Sequence, residues 1–271
     1  MPDLPVDATS FDTRADAIRA IEERDVDGAV ILRAEGPEVL TASANGAAPS
    51  SILTALGTQL ATAQHTTPTT TEIVPWSQDD PSGAGMNAMG FPLVLGGIVG
   101  GVLVSLLVVG VRRRLLALAA YTLVGGIAGT AVIGPLLGIA PGGFWITALA
   151  LGLGMLGTAS TVVGLHALLG TAGLGVGAVI TMFFANPISG ATMPYQFIVG
   201  PWGEVGQYFV PGAANSLFRE VSYFPDASML HEWIVLSAWI LGGITLSLTG
   251  HFRSSSPVNL PESELDPAAA M

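Results

Sequence analysis

The feature that most constrains this chain is an uncharged apolar run that ends in three consecutive arginines. The run begins at Phe91 and reads FPLVLGGIVGGVLVSLLVVGV before Arg112, Arg113 and Arg114. At about 1.5 Å per residue, a helix of about twenty residues matches the roughly 30 Å hydrocarbon core of a bilayer. A buried helix of a large soluble protein is the weaker interpretation, because four more apolar segments follow. The run therefore predicts a membrane span.

The three arginines also predict the orientation of the chain. They lie in a hairpin too short to be translocated as a domain, so the positive-inside rule places them in the cytoplasm. Residues 1–90 are then expected outside, although Met1 to Val30 has neither the basic nor the apolar region of a signal peptide. Either these residues cross as an N-terminal tail or the natural polypeptide begins with an earlier span, and we expect the second.

The distribution of charge favours an acidic, solvated domain followed by a nearly charge-free membrane part. The 271 residues are 50% hydrophobic and 11% charged, with a net charge of -11. Residues 1–90 hold thirteen of the twenty Asp and Glu residues against four Arg. This balance argues against nucleic acid as a partner. The chain has no cysteine, so an exported domain would be held by its own core and by docking on the membrane bundle.

The acidic part favours a small α/β domain. Asp12 precedes TRADAIRAIEERD, whose apolar residues share one helical face. The runs AVILRA, from Ala29, and VLTASA, from Val39, flank a turn and predict a β-hairpin. A second amphipathic helix is expected from Pro49. After a Thr-rich connector, the EIVPW segment from Glu72 is expected to be a third strand or an extended segment.

Two adjacent carboxylates, Asp79 and Asp80, precede the first span in the stretch SQDDPSGAG. Carboxylate oxygens are ligands for hard cations, but two of them without further oxygen ligands make no calcium loop. A solvated turn before the membrane is therefore the expected structure, and no metal site is predicted.

Five spans are expected in all, and one of them is discontinuous. Their expected bounds are 91–111, 115–139, 144–168, 172–186 and 231–250, with a disordered cytoplasmic tail at 254–271. Glycines recur at four-residue spacing, which lets helices approach closely in lipid. The pairs are Gly96 and Gly100, Gly97 and Gly101, Gly125 and Gly129, Gly134 and Gly138, and Gly173 and Gly177. The expected fold is an α-helical integral membrane bundle with a small N-terminal α/β extracytoplasmic domain.

The fourth span is short and interrupted. From Gly173 about a dozen apolar residues lead to Asn186 and Pro187, and a Pro- and Gly-containing stretch follows. Such a span is typical of a discontinuous or re-entrant helix, and irregular backbone at membrane depth is tolerated only where it is buried in protein or lines a cavity. We expect the functional surface in this outer segment, 187–230. An ordinary outer loop, in which Pro and Gly only make turns, is the alternative.

Missing residue types argue against several mechanisms. Leu115 to Gly203 contains no Asp, Glu, Lys or Arg, so the mid-membrane carboxylates typical of ion-driven transporters are absent there. The chain has no lysine, and hence no phosphate loop of the GxxxxGKS/T type. No Ser-His-acid or HExxH pattern supports hydrolytic catalysis. We therefore expect neither an enzyme nor a cofactor, and any uphill transport would draw its energy from another polypeptide.

The order of these features resembles the type 2 ABC exporter permease superfamily, and most closely its phage-infection-protein (Pip) branch. The resemblance is carried by DGAVIL, LTASANGAAPS, DDPSG, the span closed by RRR, NPISG and PWGEVGQYFVPGAANSLFR. It implies a plasma-membrane subunit that works in the lipid bilayer as a homodimer or heterodimer, with or without a separate ATP-binding subunit. Members usually have six spans with a large ectodomain after the first. This chain then lacks the first span.

The resemblance and the break together single out a set of candidate residues for a substrate path or gate. Arg219 is the only base between Arg114 and Arg253, so it is the best candidate to meet an anionic group. That group is a lipid phosphate or, as the expected case, a carboxylate such as Glu204 or Glu220. The full candidate set is Asn186, Pro187, Gly190, Pro194, Trp202, Pro211, Gly212, Asn215 and Arg219. The predicted function is export of a lipid-like or amphipathic substrate, and the alternative is a non-transporting scaffold or receptor whose ectodomain binds an envelope or secretion partner.

Overall fold

A computed structural model of the chain describes residues 8–254, with side chains described as far as Gly250. The expected tail at 254–271 lies outside the described residues apart from Ser254, the last residue of the final helix. Within these bounds the protein consists of a small α/β domain followed by a helical bundle.

The α/β domain begins with helix α1, Arg14–Glu22. The hydroxyl of Thr13 accepts a hydrogen bond from the backbone N–H of Asp16 at 3.1 Å and caps the helix. Strands β1, Gly28–Ile31, and β2, Glu38–Thr41, pair antiparallel, which confirms the predicted hairpin.

The third strand differs from the expected position. Helix α2, Ala47–Ala63, leads to strand β3, Thr69–Glu72, which pairs parallel with β2. The strand thus lies in the Thr-rich connector rather than in EIVPW. β-Branched threonine suits a strand, and a helix is the usual connection between parallel neighbours.

Of the ten α-helices in residues 8–254, eight lie beyond the α/β domain. Helix α3, Ala84–Ala88, leads into α4, Gly90–Leu107. Helix α5, Val111–Ala131, widens into a π-helical turn, Val132–Leu136, and α6 is Phe144–Leu169. Helix α7, Thr171–Val179, also ends in π-helical turns, Ile180–Ala185. The remaining helices are α8, Trp202–Gln207, α9, Val210–Tyr223, and α10, Leu230–Ser254.

Four helical stretches are long and apolar enough to cross a membrane. They are Ala84–Leu107, Val111–Leu136, Phe144–Leu169 and Leu230–Gly250. The fourth expected span corresponds to the apolar helix Thr171–Ala185, which is shorter than these four. Helix α6 is the centre of the bundle, because it packs against α4, α5, α7, α9 and α10.

The first two apolar helices meet a few residues before the expected boundary between the spans. Helix α4 ends at Leu107 and α5 begins at Val111, so the three arginines lie in the first turn of α5 rather than between two helices. The guanidinium of Arg114 donates to the backbone carbonyls of Val108 at 2.7 Å and Ser105 at 3.0 Å. It thereby satisfies carbonyls that the end of α4 leaves without a helical partner.

Some of the glycine pairs bring helices together and others do not. Gly97 and Gly101 face α6, where an added Cβ would lie 2.5 Å from Thr158 Cβ and 2.9 Å from the Ala159 carbonyl oxygen, respectively. At Gly134 the nearest such atom is 3.5 Å away, an ordinary contact. The four-residue spacing therefore marks a close helix crossing in α4 but not at the end of α5.

Candidate functional site

Helix α9 joins the α/β domain to the helical bundle. Every one of its residues is buried except Asn215, which is half-buried. It packs against α4, α6 and α10 on one side and against the short 3-10 turn Ser43–Asn45 of the α/β domain on the other. The stretch expected to form an outer gate is thus a helix enclosed between the two parts of the protein.

The break after α7 is closed by a chain of side-chain hydrogen bonds. The amide of Asn215 donates to the Ser189 hydroxyl at 3.3 Å, and that hydroxyl donates to the Asn186 carbonyl at 2.7 Å. Asn186 Oδ1 is buried and has no hydrogen-bond partner. Gln207 adds a further link by donating to the Ser189 carbonyl at 3.2 Å. The structure therefore brings two of the candidate residues, Asn186 and Asn215, to one polar cluster.

The other candidates in the irregular segment lie in different surroundings. Pro187 is exposed, and Gly190 adopts a left-handed backbone with φ of +73°, which favours glycine. Pro194 is buried against Gly46 of the α/β domain. Trp202 is half exposed, with an edge-on contact to the ring of Phe184. These residues do not surround one common site.

Pro211 and Gly212 begin helix α9. Proline suits this position, because the first turn needs no N–H donor and its φ is already helical. A Cβ at Gly212 would collide with the carbonyl oxygen of Gly206, so α8 can approach α9 only because no side chain is present there. The turn itself lies just before them, at Tyr208 and Phe209.

Arg219 is buried and does not form the expected ion pair. Its guanidinium donates to the carbonyl of Ala44 at 2.8 Å and to Asn87 Oδ1 at 3.1 Å, and it lies 5.6 Å from the centre of the Trp76 ring. Among the described residues no carboxylate pairs with it. Burial lowers the pKa of Arg219 to about 10, and the charge of Arg24 adds to the effect. The charged guanidinium of Arg219 therefore binds neutral acceptors in the α/β domain and near the start of the helical bundle.

The carboxylate of Glu220 pairs instead with Arg24 of the α/β domain. We call this contact between α9 and the α/β domain the junction. Arg24 Nη1 lies 2.8 Å from Glu220 Oε1, and its Nε donates to Asn45 Oδ1 at 2.9 Å. Asn45 in turn donates to Asp27. Arg24 directly follows the C-cap of α1 with a left-handed φ of 63°, a conformation that costs an ordinary side chain on the order of 1 kcal/mol. The contacts of Arg24 in the junction thus hold its backbone in a conformation that is unfavourable locally.

The linker before α3 is fastened to the same helix. The Tyr223 hydroxyl donates to the Ile139 carbonyl at 2.7 Å, and the ring of Trp76 meets the Tyr223 ring edge-on. Asp80 accepts hydrogen bonds from the backbone N–H groups of Gly85 at 3.1 Å and Met86 at 2.9 Å. Its carboxylate therefore caps the first turn of α3, and the described residues contain no cluster of three or more potential metal ligands.

Two cavities in the described part of the protein limit the size of a ligand that it could bind. A cleft between α6, the end of α7 and α10 encloses about 10 Å³, which is room for one water molecule at most. A larger cavity of about 330 Å³ lies where the linker meets the end of α5, with Asp79, Thr130 and Phe144 in its wall. The larger cavity has the volume of a small-ligand pocket, but it lies beside the junction rather than along the helices.

Sequence reasoning missed Arg24, Asn45 and Glu232 as members of the junction. Arg24 and Glu220 are 196 residues apart, and no local pattern connects them.

Comparison with family models, with curated proteins and with solved structures found no match.

Proposed function

We propose that this chain is a multi-pass membrane permease-like subunit that exports a lipid-like or amphipathic substrate with energy from a separate ATP-binding subunit. The observation that carries the proposal is the short apolar helix Thr171–Ala185. At the rise of an α-helix its 15 residues reach about 22 Å, less than the roughly 30 Å of a hydrocarbon core. Polar Asn186, Ser189 and Asn215 meet directly where it ends. Broken helices of this kind place polar groups along substrate paths in transporters.

The path is proposed to run between subunits rather than through one of them. The cleft next to this break has room for one water molecule at most. By contrast, only 28% of the apolar stretch of α5, and the same share of α10, is buried within the chain, against 67% for α6. These faces are free for lipid or for the second subunit of a homodimer or heterodimer.

The proposed location is the plasma membrane, with the α/β domain outside and the C-terminus in the cytoplasm. Helix α4 begins beside the junction and runs for 18 residues, about 27 Å, to the turn that precedes the arginines. Arg112 and Arg113 are exposed at that far end, where the positive-inside rule expects basic residues on the cytoplasmic side.

Transport can be tested in vesicles with a matched pair of glycine variants. Inside-out vesicles with the full chain would be given fluorescent phosphatidylethanolamine on the cytoplasmic leaflet, and its movement to the lumenal leaflet followed with and without ATP. Gly190 and Gly200 both have a left-handed backbone, but only Gly190 packs against Tyr195, beside the polar cluster. Gly190→Ala should lower ATP-dependent movement, whereas Gly200→Ala should leave it near the starting level. No ATP-dependent movement in vesicles that also contain the native partner subunits would refute the proposal.

A membrane scaffold is the second candidate, and the fastening of the α/β domain favours it. A domain held to the bundle by Arg24 and Arg219 presents its outer surface in a fixed orientation, as a receptor for an envelope partner would. A scaffold would co-purify with such a partner and show no lipid movement in the vesicle assay.

A further inference from the structure

Two buried carboxylates at the junction each have an oxygen without a partner. Glu220 and Glu232 are 6% and 8% exposed, and the Oε2 atom of each is buried without a hydrogen bond. Glu220 Oε1 is bound to Arg24, so one oxygen of this group is satisfied and the other is not. A buried oxygen of an ionised carboxylate without a donor is unfavourable, because the group has lost its hydration and gained no hydrogen bond in exchange. A bound positive charge would stabilise an ionised carboxylate with such an oxygen.

Charged and titratable groups approach these oxygens from each element packed around them. Arg24 and half-buried Asp27 approach from the α/β domain, Arg219 and Tyr223 from α9, and Tyr195 from the irregular segment. Buried Asp80 acts on Tyr223 from the linker. On α10, His231 beside Glu232 points its Nε2 at the Gln207 carbonyl, 3.4 Å away. Glu204 on α8 is exposed. Arg24 is thus the one group among them that forms an ion pair with Glu220 in the described part of the chain.

We propose that Glu220 binds one proton beside Glu232, and that this proton strengthens the attachment of the α/β domain to α9. A proton on Glu220 removes one of two like charges and turns its unpartnered oxygen into a hydrogen-bond donor. The Arg24 bond to Glu220 Oε1 persists, because a protonated carboxyl keeps an acceptor oxygen. This inference holds whether or not the chain transports a substrate.

The direction of the pH effect follows from the electrostatics of Glu220. The pKa of Glu220 is raised to about 7, mainly by burial, while the charge of Arg24 opposes the shift, that of Glu232 adds to it and that of Arg219 opposes it. A carboxyl whose pKa is higher in the attached state binds its proton more tightly there. Its contribution to attachment is therefore complete below the ordinary glutamate pKa of 4.5 and is lost as the pH rises through about 7. Burial also raises the pKa of Asp27, which acts in the same direction.

The size of the effect can be stated for the range from pH 8 to pH 6. With a pKa of about 7 in the attached state and 4.5 in the detached state, the equilibrium constant for attachment rises about tenfold over this range. Hydrogen exchange of the segment from α1 to β3, measured on the full chain in nanodiscs and corrected for intrinsic rates, reports this constant. Glu220→Gln should remove the pH dependence and give at pH 8 the protection that the unaltered chain shows at pH 6. Glu204→Gln, at an exposed site, should behave as the unaltered chain.

Two further measurements keep the test decisive if Glu220→Gln fails to fold. Glu232→Gln removes the neighbouring negative charge, so the midpoint of the pH dependence should move to lower pH. Infrared spectra should show the carbonyl stretch of a protonated carboxylic acid at pH 6, and it should weaken by pH 8. Protection that is constant from pH 6 to pH 8, or pH dependence unchanged in Glu220→Gln, would overturn the proposal. Protection at pH 8 that rises with sodium but not with N-methylglucamine at equal ionic strength would replace the proton by a metal cation and overturn it too.

Discussion

The packing of α6 on α10 predicts opposite outcomes for two adjacent glycine substitutions. A Cβ added at Gly243 would lie 2.5 Å from the carbonyl oxygen of Ser160 on α6, whereas one at Gly242 has no neighbour within 4 Å. Gly164 approaches Gly243 from the other side, because its own Cβ would lie 2.5 Å from the Gly243 carbonyl oxygen. The two backbones are therefore in contact at this crossing.

The magnitude follows from the distance that the helices would have to move. Carbon and oxygen atoms normally stay more than about 3 Å apart, so Gly243→Ala requires a separation of roughly 0.5–1 Å along most of the crossing. Overpacking of this kind costs about 1–3 kcal/mol. Gly242→Ala meets open space and gains up to about 1 kcal/mol of helix propensity. The two variants should therefore differ by about 1–4 kcal/mol in free energy of unfolding.

The assay is unfolding of the purified full chain in mixed micelles by added dodecyl sulfate, followed by tryptophan fluorescence. Trp239, on α10, donates to the Tyr208 carbonyl at 2.8 Å and so reports the position of this helix. Gly243→Ala should unfold at a lower fraction of dodecyl sulfate than the unaltered chain, and Gly242→Ala at the same or a higher fraction. Equal midpoints for the two variants would refute the close crossing of α6 and α10.

Three further predictions concern the junction and the linker. Arg219→Ala should lower the free energy of unfolding by about 3–5 kcal/mol, since it leaves the Ala44 carbonyl buried without a donor, and Arg219→Lys should lose less; thermal unfolding measures both. Asp80→Ala should cost about 1–2 kcal/mol through the lost cap of α3, with exposed Asp79→Ala as a neutral control in the same assay. The hydrogen bond from Arg14 lowers the pKa of Glu38, so this carboxylate stabilises the domain above the ordinary pKa of 4.5 and the stability is lost as the pH falls through its lowered value. In Glu38→Gln, the protection from hydrogen exchange should depend less on pH over this acidic range. An unchanged pH dependence would contradict the assignment.

Local signals in the sequence predicted the elements whose structure is decided locally. The cap and apolar face of α1, the β1–β2 hairpin and the start of α6 after Gly143 were all expected from turn residues and periodicity. The strand β3 was expected a few residues too late. The three threonines of β3 and the EIVPW segment have similar strand propensity, and the length of the α2 crossover decides which of them reaches β2.

The junction could not be predicted, because its contacts join residues that are far apart in the chain. Arg219 was expected to pair with a carboxylate such as Glu204 or Glu220. In a buried helix the side chain meets whatever element packs on that face, and here this element is the Ser43–Asn45 turn. The pairing of Arg24 with Glu220 likewise depends on how the domain seats on α9. Apolar runs indicate which segments are buried but not which polar groups meet across the contact.

The central claim is that the α/β domain and the α4–α5 turn lie on opposite sides of a membrane, and single-cysteine labelling tests it directly. The chain has no cysteine, so each variant carries one reactive thiol. Thr58 on α2 and Arg113 at the start of α5 are both exposed. In intact cells a membrane-impermeant maleimide should label Thr58→Cys at once, and Arg113→Cys only after the membrane is permeabilised. Labelling of Arg113→Cys in intact cells, with Thr58→Cys protected, would contradict the orientation and the function proposed from it.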